Sequence, residues 1–145
     1  MNETNYIKLE FPSKSCNEAF ARTAAAAFAA QLDPTLEELG DIKTAVSEAV
    51  TNAIIHGYEE GPGIVHMKLT IREREFEAEV RDEGVGIADV KKAMEPLYTS
   101  KPSRERSGMG FSFMEAFMDQ VTVDSKPGRG TVVRMTKRLE AGKGR

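Results

Sequence analysis

The chain has 145 residues, a length that fits one domain with its own core and no need of covalent staples. Apolar residues make up 40% and charged residues 30%, which excludes a disordered chain. With 20 basic against 23 acidic residues the formal charge is −3, so a general grip on nucleic-acid phosphates is not expected.

Cys16 is the one cysteine, so no disulfide can form within the chain, and a lone thiol suits a reducing cytoplasm. Cys16, His56 and His66 cannot make a Cys/His zinc site. Residues 1–11 alternate polar and apolar side chains and hold no signal-peptide core. The longest uncharged stretch, residues 23–32, falls far short of the roughly 20 apolar residues that span a membrane, so no membrane contact is expected.

In chain order, Ile7, Leu9 and Phe11 alternate with Lys8 and Glu10 and predict a half-buried strand ended by Pro12. Residues 17–31 hold eight alanines and predict a helix with Phe20, Ala24, Ala27, Phe28 and Leu32 as its apolar stripe. A second helix follows, capped either by Asp33 with Pro34 or by a Thr35/Glu38 capping box. It runs to about His56 and stops at Gly57. Leu39, Ile42, Val46, Val50, Ala53 and Ile54 form its inner stripe, and Ala45, Glu48, Asn52 and Ile55 form the opposite, ligand-facing side.

Residues 61–63 read as a turn, and Val65 to Ile71 and Phe76 to Val80 as an antiparallel pair joined near Arg72 to Arg74. A glycine loop spans residues 82–86, a short helix residues 89–95, and a polar loop residues 97–107. Gly108-Met109-Gly110 opens a helix bearing Phe111, Met114, Phe117 and Met118 as core. Two strands close the chain, at Val121/Val123 and Val133/Met135, before a frayed tail from about residue 140. His66 reads as solvated and Cys16 as a small packing residue. The whole chain, residues 1–145, reads as one domain.

Three polar constellations occur in order. Glu48 and Asn52 lie four apart on one helix face. The Asn52 carbonyl is a hard oxygen ligand suited to Mg²⁺, and Glu48 suits deprotonation of a hydroxyl. Asp82 ends a strand and can accept from an exocyclic amine, with Gly84 and Gly86 allowing close ligand approach. Gly108 and Gly110 at a helix start expose N–H groups that can hold phosphate. Taken singly, each also fits a bland alternative: a solvated helix face, a tight turn, a flexible helix start. Neither a Walker A motif nor a Rossmann fingerprint is present.

Together, Glu-x-x-x-Asn, Asp-x-Gly-x-Gly and Gly-x-Gly resemble the GHKL ATP-binding family, which includes histidine kinases, Hsp90, gyrase B and MutL. Within it, three longer runs are similar to the anti-sigma F factors of endospore-forming bacteria. They are Glu48-Ala-Val-Thr-Asn52-Ala-Ile-Ile-His56-Gly57-Tyr58, Arg81-Asp82-Glu83-Gly84-Val85-Gly86-Ile87, and Lys101-Pro102 with Glu105-Arg106-Ser107-Gly108-Met109-Gly110-Phe111. Phe20-Ala21-Arg22 and Gln31-Leu32-Asp33-Pro34-Thr35 add to this. The likeness covers roughly residues 17–136, and the departures at 64–80, at Ser103-Arg104 and in the tail leave the nucleotide motifs intact.

The resemblance implies an α/β (α+β) sandwich of the GHKL, or Bergerat, type, with helices on one face of a mixed, mostly antiparallel sheet. It implies binding of Mg-ATP or Mg-ADP, homodimers, and inhibition of a sporulation sigma factor. It also implies phosphorylation of a serine on an anti-anti-sigma antagonist. By motif position Glu48 is the base, Asn52 holds Mg²⁺, and Asp82 reads adenine with Thr131. Gly84 and Gly86 shape the pocket. Lys101, Arg106, Ser107, Gly108, Met109 and Gly110 form the lid and phosphate cradle, and Arg22 faces protein partners. Alternatives are a related kinase for a stress sigma factor and a nucleotide-binding module without transfer. A sensor histidine kinase needs a phosphoacceptor histidine that neither His56 nor His66 supplies, and a lid-gated ATPase machine needs further domains.

Overall fold

The computed structural model describes residues 4–90, 94 and 110–140. Strand β1 (Asn5–Pro12) leads into helix α1 (Cys16–Ala29), a 3₁₀ turn (Ala30–Leu32) and helix α2 (Leu36–Asn52). A π turn (Ala53–Gly57) follows, then the hairpin β2 (Ile64–Arg72) and β3 (Glu75–Asp82). Helix α3 (Gly110–Phe117) and the hairpin β4 (Gln120–Lys126) and β5 (Gly130–Arg138) complete the described chain. The short helix expected at residues 89–95 and the loop at 97–107 lie almost wholly outside the described residues, as does the tail beyond residue 140.

The sheet order is β1-β2-β3-β5-β4. All four pairings are antiparallel, so the described sheet carries none of the parallel pairing that a mixed sheet allows. Alternation sets its two faces. Val65, Met67, Leu69, Phe76, Ala78, Val80, Val133 and Met135 are buried on the side that meets the helices. The other side carries residues such as Lys8, Lys68, Glu79 and Arg134, which are cross-strand neighbours. There Arg134 donates to Glu79 at 2.8 Å, and His66 pairs with Glu10 at 3.4 Å rather than standing in solvent.

Two helical stripes differ from expectation. In α1 the buried residues are Ala21, Ala25, Phe28 and Ala29, while Phe20 is 64% exposed. An alanine-rich helix carries little amphipathic signal, and packing of small side chains against α2 sets its rotation. In α2, Ala45 is buried, not ligand-facing, because α1, α3 and the sheet cover this helix on several sides. Cys16 is exposed at the start of α1 and is no packing residue.

The start of α2 resolves the open choice of cap. Thr35 Oγ1 accepts from Glu38 N–H at 3.1 Å, and Glu38 Oε1 accepts from Thr35 N–H at 2.9 Å. Asp33 instead closes the 3₁₀ turn in a left-handed conformation, φ 60°. Glu38 Oε2 also accepts from Glu140 N–H at 3.0 Å, which ties the far end of the chain to the start of α2.

Burial pushes the Glu38 carboxyl up, but the Glu140 and Thr35 hydrogen bonds and the Lys137 charge outweigh it and hold the pKa below its ordinary 4.5. A carboxyl depressed on folding stabilises above its unfolded pKa, and that contribution fades as pH falls through the folded value. Glu38→Gln keeps one oxygen for the capping box but loses the second accepted N–H and the charge, so it should cost about 1 kcal/mol at neutral pH, the typical worth of one net hydrogen bond. Chemical denaturation across pH checks this: the gap between parent and variant should close on acidification below the ordinary value.

Candidate functional site

Asp82 ends β3 with its side chain on the helix side of the sheet, opposite Thr131 of β5. It is 5% exposed, and its Oδ1 accepts from Gly84 N–H at 2.9 Å. Burial raises the Asp82 carboxyl above its ordinary value, and the backbone hydrogen bonds from Gly84 and Thr131 only partly offset this. A carboxylate offers about four acceptor positions, so this one keeps capacity for a ligand N–H.

The chain packs against that carboxylate through glycine. A Cβ at Gly57 would fall 2.6 Å from Asp82 Cγ, and one at Gly84 would fall 1.8 Å from the Gly57 carbonyl oxygen. The π turn after α2 thus lies directly on the Asp82 loop, a contact that no other residue type permits. Gly86 adopts φ +77°, and its α-carbon runs close to the Lys126 carbonyl.

Hydrogen bonds then stitch the loop from both sides. Val85 N–H donates to the Gly57 carbonyl at 2.9 Å, and Glu83 N–H donates to the Tyr58 hydroxyl at 2.7 Å. That hydroxyl in turn donates to the Ile64 carbonyl at 2.7 Å. From the β4–β5 hairpin, Gly128 N–H reaches the Val85 carbonyl, and Ile87 N–H reaches Ser125 Oγ, each at 2.7 Å. In the sequence Gly57 reads as a helix stop and, with Tyr58, as the end of a family-like run; neither these contacts nor a role for Ser125 is legible there. The adjacency of Gly57 and Tyr58 to the Asn52 motif was the available signal for those two residues.

Glu48 and Asn52 occupy the last turns of α2, and the start of α3 lies over both. A Cβ on Gly110 would stand 3.2 Å from Asn52 Nδ2 and 3.4 Å from Glu48 Oε1. Gly110 is buried, and a side chain there would press on both polar groups. Asn52 Nδ2 is buried with no hydrogen-bond partner among the described residues. A buried polar group left so is costly, and a ligand that accepts from it removes the penalty. The end of α2 and the start of α3 thus bring a carboxylate, a carboxamide and a helix start to one place; amide and backbone N–H groups suit an anionic ligand, and a carboxylate suits proton removal.

Thr131 and Asp82 are brought together, as are Glu48, Asn52 and Gly110. Lys101, Arg106, Ser107, Gly108 and Met109 lie outside the described residues. Arg22 stands on α1 with its side chain 42% exposed, and it pairs with Glu18 at 3.3 Å. No group of three or more His, Cys, Asp or Glu side chains that could hold a metal occurs among the described residues. None of the described helices is long and apolar enough to cross a membrane.

A family model described as the histidine kinase-like ATPase domain matches residues 11–137. An anti-sigma F factor of Thermoanaerobacter sp. (strain X514) is 59% identical over 143 residues, covering 99% of this chain and all of that one. One from Pasteuria penetrans is 61% identical, over 94% of this chain and 93% of the relative. One from Bacillus velezensis is 56% identical, over 96% of both. A solved structure of the RsbU and RsbW domains of a Mycobacterium tuberculosis protein superposes with a TM-score of 0.66 at 18% identity, covering 93% of this chain and 32% of that chain. That likeness speaks to the fold. The chain therefore carries an ATP- or ADP-binding domain and belongs to the anti-sigma F factors, within the histidine kinase-like ATPase family.

Proposed function

We propose that this protein inhibits a sporulation sigma factor and, as an ATP-dependent serine kinase, phosphorylates the anti-anti-sigma protein that opposes it. The observation that carries the proposal is the close approach of Gly110 to both Glu48 and Asn52, which puts a base and a polar amide at one helix N-terminus. The names of the relatives at 56–61% identity favour this over a kinase for a stress sigma factor. A binding module without transfer has no use for a carboxylate in that position.

In this reading Asp82 and Thr131 hold the adenine edge, and Gly84 and Gly86 shape the wall beside it. The N-terminus of α3, with Gly108, Met109 and Gly110, cradles the phosphates. Lys101, Arg106 and Ser107 belong to the lid that closes over them. Asn52 is the residue that would hold Mg²⁺, through its side-chain oxygen, and its buried nitrogen, without a partner among the described residues, fits a site completed by ligand. The ion neutralises phosphate charge when bound, with phosphate and water supplying its other oxygens.

Glu48 takes the proton from the substrate serine hydroxyl as its oxygen forms a bond to the γ-phosphorus. The bond to the β-phosphate oxygen breaks, and ADP leaves. Positioning and charge stabilisation supply most of the rate. Arg22 offers a planar donor fork to carboxylates of the protein partners. The protein acts as a cytoplasmic homodimer, and nucleic acid and membrane have no part in the reaction.

Glu48→Gln keeps size and hydrogen bonding but removes basicity, and loss of a general base typically lowers rate by about 10²–10⁴. A radiolabelled ATP assay on the anti-anti-sigma protein should show that loss, with ADP affinity and sigma-factor capture retained. Phosphorylation near the parent rate would remove Glu48 as the base. Arg22→Ala should weaken capture of both protein partners, by about 2 kcal/mol if Arg22 is a binding hot spot. Its ion pair with Glu18 is half-buried at the surface and spans one helix turn, so thermal stability should change little and ADP affinity should stay near the parent value. Equal capture by parent and variant, both loaded with the same nucleotide, would leave Arg22 as a solvated charge.

A further inference from the structure

Asp82, Thr131 and Ser125 are consecutive partners across β3, β5 and β4, so their side chains share the helix side of the sheet. Ser125 Oγ makes three hydrogen bonds. It accepts from Ile87 N–H at 2.7 Å, donates to the Gly130 carbonyl at 2.9 Å, and lies 2.8 Å from Thr131 Oγ1. A hydroxyl has a single hydrogen to give. The Gly130 carbonyl can only accept, so it takes the Ser125 hydrogen, and the Ile87 amide can only donate. The remaining bond forms only if the Thr131 hydroxyl donates to Ser125. Thr131 Oγ1 therefore presents lone pairs, not a hydrogen, to a ligand beside it. Its neighbour Asp82, when ionised, is also an acceptor without a hydrogen to give.

We propose that Ser125 is a specificity-determining residue: by taking the Thr131 hydrogen it makes the Asp82–Thr131 edge acceptor-only, which selects a purine with an amino group at C6 over one with oxygen there. The proposal rests on the reading of Asp82 and Thr131 as the pair that meets the base. A carboxylate alone does not make this choice. It accepts from the ring N–H of a 6-oxopurine as well as from the amino group of adenine. A second acceptor fixed beside it suits an amino group, which has two hydrogens. Against a C6 oxygen it sets lone pairs facing lone pairs, an unpaired buried contact of the kind that gives binding sites their selectivity. Ser125 touches no base in this scheme. It acts through the direction of one hydrogen.

Calorimetric titration of the full chain with ADP and with inosine 5′-diphosphate tests this. Ser125→Ala frees the Thr131 hydroxyl to rotate and donate. The preference for ADP over the inosine nucleotide should then narrow by about tenfold, the worth of one net hydrogen bond. Ser125→Thr keeps a hydroxyl on a residue suited to a strand and should restore the parent preference. In a Thr131→Val background, Ser125→Ala should leave the preference where Thr131→Val alone puts it, because the hydroxyl it directs is gone.

A Ser125→Ala preference within about twofold of the parent would overturn the proposal, provided Asp82→Asn weakens ADP binding. If Asp82→Asn leaves ADP affinity unchanged, the base-reading pair itself is wrong, and that outcome is separable from the first. Should Ser125→Ala fail to fold, Thr131→Val decides. It must narrow the preference, and an unchanged value would overturn the proposal.

Discussion

Gly57 lies against the buried carboxylate of Asp82, and the geometry of the site follows from that contact. A side chain at position 57 would push the end of α2 away from β3. The carboxylate is costly to bury, as its raised pKa records, and the Gly84 and Thr131 N–H groups hold it in place. With α2 anchored there, Asn52 and Glu48, on that same helix, are placed relative to the Asp82 loop. The π turn between Asn52 and Tyr58 brings the helix end onto the loop, consistent with the frequent occurrence of π turns at functional sites.

The second constraint is the start of α3. Gly110 comes within contact distance of both Glu48 and Asn52, so the end of the site proposed for phosphate is made by two helices meeting. The Asp82 end is made by sheet and loop. Close backbone packing shapes that end, and a buried glycine shapes the end at Asn52. Neither relies on surface ion pairs such as Arg22–Glu18, which contribute little to stability.

Much of this was legible in the sequence. Strong alternation in residues 65–71 and 76–80 gave the central strands and their buried faces without ambiguity. The four-residue spacing of Glu48 and Asn52 gave their shared face, because helical geometry is local. What the sequence could not reveal was orientation set by tertiary packing. The rotation of α1, which leaves Phe20 exposed, depends on which alanines fit against α2, and alanines carry no label for that. The burial of Ala45 required knowing that α1, α3 and the sheet all meet α2. Ser125 was invisible because its role needs two strand registers and the loop at Ile87 together, and none of these is a neighbour in sequence.

The central claim is that nucleotide sits on the helix side of the sheet, in the space bounded by Asp82, Asn52 and the start of α3. Titration of ¹⁵N-labelled protein with Mg-ADP, followed by two-dimensional NMR, tests it most directly. The account predicts the largest shifts at the backbone amides of Gly57 and Gly84 to Ile87 and at the Asn52 side-chain amide, whose nitrogen has no partner among the described residues. Lys8 and Lys68, on the face of the sheet turned away from the helices, should stay in place. Large shifts at Lys8 and Lys68 with the Asp82 loop unmoved would contradict it.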